Sequence, residues 1–217
     1  MQLTHLTLPR TRESVAAYSR LVANKYVEHQ ALWSMLQARP DASREFLYRT
    51  EITDDGLEVY VLSPKALSPE GPWRARTREY APKVRAGQLV GFSLRVSPTE
   101  DKAQGLNARS KRVDMVMDRY QAAGGEVDVQ TIAQGVAADW LERREESSGF
   151  RVVDCSAGNY RRFDVTKRGQ HMTKLSYLDI TGTLEVQDPA RFLTKLATGY
   201  GKAKFAGCGL MLLSAPK

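Results

Sequence analysis

Polar and apolar positions alternate through MQLTHLTL and predict a strand over residues 2–8. After the turn LPRTRE, Val15, Tyr18, Leu21 and Val22 recur at three- and four-residue spacing, as do Leu32, Trp33, Met35 and Leu36, which predicts helix over 14–37. EFLYRTEI and LEVYVLSP read as two strands closed by the turn TDDG. The stretch after Pro64 holds Pro69 and Pro72 as well, so any helix before residue 84 is expected to be short and weak. GQLVGFSLRVSP reads as a further strand, completing the order βαββαβ.

The second half follows the same order. KRVDMVMD opens it as a strand or helix start, and VDVQTIAQGVAADWLERREE is a helix. FRVVDCSA, YRRFDVT and LSYLDITGTLEV are strands, the last two joined across KRGQH. DPARFLTKLATG is a helix with Asp188 as N-cap, Pro189 in its first position and Gly199 past its end. KFAGCGLMLLS closes the chain as a strand. The expected fold class is therefore α+β, two tandem ferredoxin-like βαββαβ domains over residues 1–97 and 113–217, with a basic linker at 98–112.

Composition adds little beyond a globular chain with 42% hydrophobic and 26% charged residues. No apolar run approaches a membrane span, and the N-terminus lacks a signal-peptide core, so membrane partners are not expected. Cys155 and Cys208 lie far apart without ligand spacing, as for reduced thiols in a cytoplasmic protein. Charge placement changes the picture more. Residues 151–217 hold 11 Lys/Arg against 5 Asp/Glu, nearly all of the net +7. A localised surplus of this kind attracts polyanions, nucleic acid or anionic lipid, and the chain lacks the basic amphipathic helix that a lipid surface favours.

Two segments carry candidate chemistry. The stretch GYGKAKFAGCGLMLL spaces Gly199, Gly201, Gly207 and Gly209 around Lys202 and Lys204. It fits neither nucleotide fingerprint: Ala203 stands where a P-loop needs a hydroxyl, and the order helix–loop–strand is reversed. Flexible backbone with two lysines suits a phosphate chain, and helix capping and close packing are the alternative for the same glycines. In NKYVEHQALW, Lys25, Tyr26 and His29 share one side of a helix. An imidazole there can exchange a proton near neutral pH. Metalloprotease, dithiol and serine-hydrolase motifs are missing, no set of convergent carboxylates can be assembled for two metals, and no cofactor is expected. Phosphodiester cleavage without a metal leaves attack by the substrate's own 2′-hydroxyl, which requires RNA. Basic groups suited to an RNA stem are Arg161, Arg162, Lys167 and Arg168 on the YRRFDVTKRGQH hairpin, and Arg109, Lys111 and Arg112 in the linker.

YVEHQALWSMLQARPDASREFLY resembles the N-terminal signature of the CasE subfamily of CRISPR repeat-processing endoribonucleases, the RNA-cutting subunit of type I-E Cascade. The terminal glycine stretch resembles the G-x-G-x-x-K-x-x-G-x-G loop of the wider family, with Gly199, Gly201, Lys204, Gly207 and Gly209 on its positions. The resemblance implies two ferredoxin-like domains, binding of a CRISPR repeat RNA hairpin, and metal-independent cleavage on the 3′ side of the stem. It implies His29 as the catalytic histidine and Tyr26 as its partner, with product retained among other Cascade subunits. The segment before this Tyr–His pair is long, and a helix starting near Asn24 is an alternative to one unbroken from Ser14. A non-catalytic stem-loop-binding scaffold is the rival function, and His29 is the residue it would not need.

Overall fold

A computed structural model describes residues 1–36, 45–103, 110–167 and 170–216. The first half contains β1 (Gln2–Pro9), α1 (Val15–Ala23), α2 (Lys25–Met35), β2 (Leu47–Thr53), β3 (Gly56–Ser63) and β4 (Arg74–Glu79). These strands form one antiparallel sheet in the order β2-β3-β1-β4. Its alternate residues Leu6, Leu8, Tyr48, Val59 and Val61 are buried with Leu21 of α1 and Leu32 of α2. The expected helix over 14–37 is thus two helices broken at Asn24, whose φ of −148° and ψ of 114° are extended.

The second half contains β5 (Leu89–Val96), β6 (Thr99–Lys102), β7 (Lys111–Asp114), α3 (Met115–Ala122), α4 (Val129–Glu142) and the single turn α5 (Glu145–Ser148). After these come β8 (Phe150–Ala157), β9 (Arg161–Lys167), β10 (Gln170–Val186), α6 (Pro189–Thr198) and β11 (Met211–Ser214). The main sheet runs β11-β5-β10-β8, with β9 on β10, while β6 and β7 make a separate ribbon in the stretch read as a linker. Trp140, Phe150 and Phe192 fill its core, the two phenylalanines meeting edge to face. Arg95 forms a bidentate pair with Asp179 on the neighbouring strand and lies over the Tyr177 ring, which satisfies a buried charge in place.

With β9 and the β6–β7 ribbon set aside, each sheet places its four strands in the same order, fourth-first-third-second. This is the tandem ferredoxin-like, α+β fold expected from the element order. Three assignments within it change. No helix forms between β3 and β4: the prolines interrupt it, and RARTRE pairs with β1 instead. That makes β4, not 87–98, the fourth strand of the first sheet, and β5 becomes the first strand of the second. The closing strand begins at Met211 because Gly199, Gly201, Ala203, Gly207 and Gly209 all have positive φ and cannot extend a strand from Lys204.

Contacts group the chain as two compact units rather than as cuts at 97 and 113. One comprises Met1–Lys83, Asp164–Lys174 and Leu196–Leu210; the other comprises Val84–Phe163, Leu175–Lys195 and Met211–Lys217. The glycine-rich loop therefore belongs with the catalytic-helix candidate α2, although it lies near the other end of the sequence.

Candidate active site and RNA interface

Helix α2 begins with a cap that also reaches another part of the chain. Asn24 Oδ1 accepts from the Tyr26 amide at 2.9 Å, satisfying one of the helix's orphan donors. Its Nδ2 donates to the Thr166 carbonyl at 3.0 Å and to Thr166 Oγ1 at 2.9 Å. Thr166 lies near the end of β9, so the start of α2 is tied to the basic hairpin. One turn further on, Glu28 is 2% exposed yet charged in character. Lys25 Nζ lies 2.8 Å from its Oε2 and Thr50 Oγ1 donates to its Oε1 at 3.0 Å, so the buried carboxylate has both a counter-charge and a hydrogen bond. Lys25 is thereby held against the helix rather than left extended.

His29 stands half-buried among aromatic rings. Phe46 stacks on it at 5.6 Å and 16°, Trp33 lies at 5.7 Å, and Tyr48 at 6.4 Å. Phe205 meets it edge-on, also at 6.4 Å. Rings on several sides limit where the imidazole can turn, which is a condition for directed proton transfer. Tyr26, three residues before it, is half-buried on the same side of α2.

The glycine-rich loop supports this arrangement from behind. The Tyr48 hydroxyl donates to the Phe205 carbonyl at 2.6 Å. Gly207 is buried with φ at 82°, and a Cβ there would lie 3.3 Å from the Tyr48 ring. At Gly209, φ is 94° and a Cβ would lie 2.6 Å from the Tyr200 carbonyl oxygen. Gly199 is buried too, against Leu47, while Gly201 is exposed. Lys204 Nζ donates to the Thr198 carbonyl at 2.6 Å, closing the loop on itself, and Lys202 is half-buried. What the loop visibly does is pack β2 and fix Tyr48 beside His29.

The remaining basic candidates separate by exposure. Arg161 and Arg162 are exposed on β9. Tyr160, just before them, donates to Asp114 Oδ2 at 2.7 Å, and burial together with that bond holds its phenol protonated, well above the usual range. Lys111 and Arg112 are exposed on the β6–β7 ribbon, where Arg112 Nε lies 3.4 Å from Asp101. Arg109 and Arg168 lie outside the described residues, as does the side chain of Lys167. Among the described residues no group of three or more His, Cys, Asp or Glu side chains converges to hold a metal, and no helix is long and apolar enough to cross a membrane. Sequence reasoning missed Asn24 as a tie, Glu28 as a buried anchor, and Phe205 as part of the histidine's surroundings. For the first, an Asn directly before a helix signals the cap but not the tie to Thr166.

Two ferredoxin-like sheets in tandem, with a ring-bounded histidine in the first half and exposed arginines on a hairpin of the second, define the class by its fold. The chain belongs to the CRISPR associated protein family, whose sequence profile matches residues 1–215. It is 31% identical over 97% of its length to the CRISPR-associated endoribonuclease Cse3 of Thermus thermophilus, covering 98% of that protein. It is 25% identical to the Cascade subunit CasE of Escherichia coli, over 87% of this chain and 91% of that one. A structure of Cse3 bound to a 19-nucleotide RNA superposes with a TM-score of 0.76 at 26% identity, covering 99% of this chain and all of that one.

Proposed function

We propose that this protein is a metal-independent endoribonuclease that binds the stem-loop of CRISPR repeat RNA, cuts on the 3′ side of the stem and stays with its product as a Cascade subunit in the cytoplasm. The observation that carries the reading is His29, held by rings on a capped helix whose start is tied to the basic hairpin.

The reaction needs no group from outside the chain and the RNA. The substrate's 2′-oxygen attacks the adjacent phosphorus, forming the P–O2′ bond as the P–O5′ bond breaks. One proton leaves the 2′-hydroxyl and one reaches the departing 5′-oxygen, giving a 2′,3′-cyclic phosphate and a 5′-hydroxyl. His29 performs one of these two transfers and Tyr26 assists or orients. Arg161, Arg162, Lys167 and Arg168 contact the stem's phosphates and groove, with Arg109, Lys111 and Arg112 as a further basic segment. Lys25, Lys202 and Lys204 add positive charge near the reacting strand, and Gly199, Gly201, Gly207 and Gly209 shape the loop that carries the last two.

The test is cleavage of end-labelled repeat hairpin by purified protein in EDTA, beside His29→Ala and beside RNA carrying a 2′-deoxy nucleotide at the cut. Cutting only by the unmodified pair is the expected result. Tight binding of the cognate hairpin without any cutting by the native protein would establish the scaffold instead.

A further inference from the structure

The first sheet has two faces, and only one is used by the helices. Leu6, Leu8, Val59 and Val61 point into the core with α1 and α2. The other face carries rows set by strand register: Arg49, Tyr60, His5 and Arg76 lie side by side across β2, β3, β1 and β4. The next row holds Glu51, Glu58, Thr7 and Arg74, and Arg78 stands opposite Leu3 in the row on the other side. Since residues alternate in direction along a strand, Arg74, Arg76 and Arg78 all project from this one face of β4.

All three arginines are exposed, and no carboxylate among the described residues lies within ion-pair reach of them. Elsewhere on the face charge is compensated: Arg49 pairs with Glu51, and Glu58 Oε2 lies 3.4 Å from His5 Nε2 and 3.3 Å from the Tyr60 hydroxyl. His5 and Tyr60 stack on each other at 4.7 Å and 5°, and about a third of the His5 side chain is open to solvent (34%). An edge strand needs some charge to discourage pairing with other strands, but one charge of either sign serves that purpose. Three like charges on one side repel each other and gain nothing from the fold.

We propose that this β4 edge is a second RNA-binding surface, taking single-stranded nucleotides that flank the stem. Alternate residues of a strand are ~6.8 Å apart, comparable to the spacing of consecutive phosphates in an extended RNA strand. Each guanidinium can give a phosphate two parallel hydrogen bonds, which a lysine cannot. The His5–Tyr60 pair beside Arg76 offers aromatic surface to a base of the same strand. Nucleotides are thus a better match than an acidic protein segment, whose carboxylates would leave the aromatic pair without a partner. The inference rests on the RNA-processing reading above and adds a second contact to it.

The experiment compares two RNAs, the minimal repeat stem-loop, ending one nucleotide beyond the cut, and the same stem-loop with longer single-stranded flanks. Both are titrated against the native protein and the triple variant Arg74→Ala, Arg76→Ala, Arg78→Ala over a series of salt concentrations. The expected result is weaker binding of the flanked RNA only, with the slope of log affinity against log salt reduced by about 2, from about 0.7 per single-strand phosphate. Binding and cleavage of the minimal stem-loop stay at the native level, as does the melting temperature, because the three side chains are exposed. Equal losses on both RNAs, or no loss on either, overturn the proposal. A triple variant that binds RNA normally but fails to join other subunits overturns it in favour of a protein partner. Failure of the native protein to bind even the minimal stem-loop overturns the RNA reading, and this surface with it.

Discussion

The glycine-rich loop and the β9 hairpin both present lysines or arginines amid small or polar residues, and both suit phosphate on composition alone. Folded, they differ. Gly199, Gly207 and Gly209 are buried, and the loop packs behind Tyr48 and Phe205 at the histidine. The hairpin leaves Arg161 and Arg162 exposed, and its Thr166 touches the cap of α2. One basic segment is packed against the surroundings of His29, and the other is open to solvent. Burial rather than charge separates the two roles, so variants in the loop and the hairpin are expected to fail differently.

The largest expected effect belongs to His29. His29→Ala is expected to slow single-turnover cleavage by roughly 10²–10⁴-fold, the range of one general acid or base, while hairpin affinity stays near native. A loss much below that range assigns the rate to positioning and leaves His29 a minor part.

Next come the hairpin arginines. In the double variant Arg161→Ala, Arg162→Ala, each lost charge-assisted bond is worth about 1.5–3 kcal/mol, and the salt dependence of binding flattens. Cleavage at saturating RNA is expected to persist. If the salt slope is unchanged, these arginines do not meet phosphate, and the contrast between exposed hairpin and buried loop loses its functional half.

The loop responds in the opposite sense. Gly209→Ala places a Cβ 2.6 Å from the Tyr200 carbonyl at a φ of 94°, a clash with backbone that no side-chain rotation relieves. A destabilisation of about 1–3 kcal/mol is expected, read from the denaturant midpoint. Cleavage slows because Tyr48 and Phe205 shift, and the salt slope of binding stays native. A flattened slope with native stability would instead make the loop a phosphate cradle.

Much of this was legible in the sequence, and the losses have physical causes. Alternation marks β1 and the Asp-Asp-Gly turn marks β2 and β3, while α4 is legible as a helix that buries Ile132, Val136 and Trp140. β4 leaves no such mark, since RARTRE is exposed along its whole length and a strand with no buried face has no hydrophobic pattern. β5 reads as a strand, but its pattern reports burial and not which strands flank it, so the sequence sets it in the first sheet and the structure in the second. At the site, the Tyr–His spacing was visible locally. Glu28 was not, as a glutamate on a helix reads as solvated until Thr50 and Lys25 are brought to it. Nor was the bond from Asn24 to Thr166, which spans 142 residues of sequence.

That bond also yields the finest test of whether hairpin and active site act together. Asn24 has two duties, capping α2 through Oδ1 and gripping Thr166 through Nδ2. Asn24→Ala removes both and is expected to cost about 1 kcal/mol of stability. Asn24→Asp keeps an acceptor at the cap, and its charge suits a helix N-terminus. It cannot donate to the Thr166 carbonyl, however, and sets a carboxylate against that oxygen, leaving only the Thr166 hydroxyl able to donate to it. If the tie to the hairpin helps place His29, both variants slow cleavage of bound hairpin to a similar degree although only the alanine loses the cap. That is the expected outcome, measured as single-turnover rate at saturating RNA beside the denaturant midpoint. Native cleavage by Asn24→Asp would reduce Asn24 to a helix cap, and the hairpin would then serve binding alone.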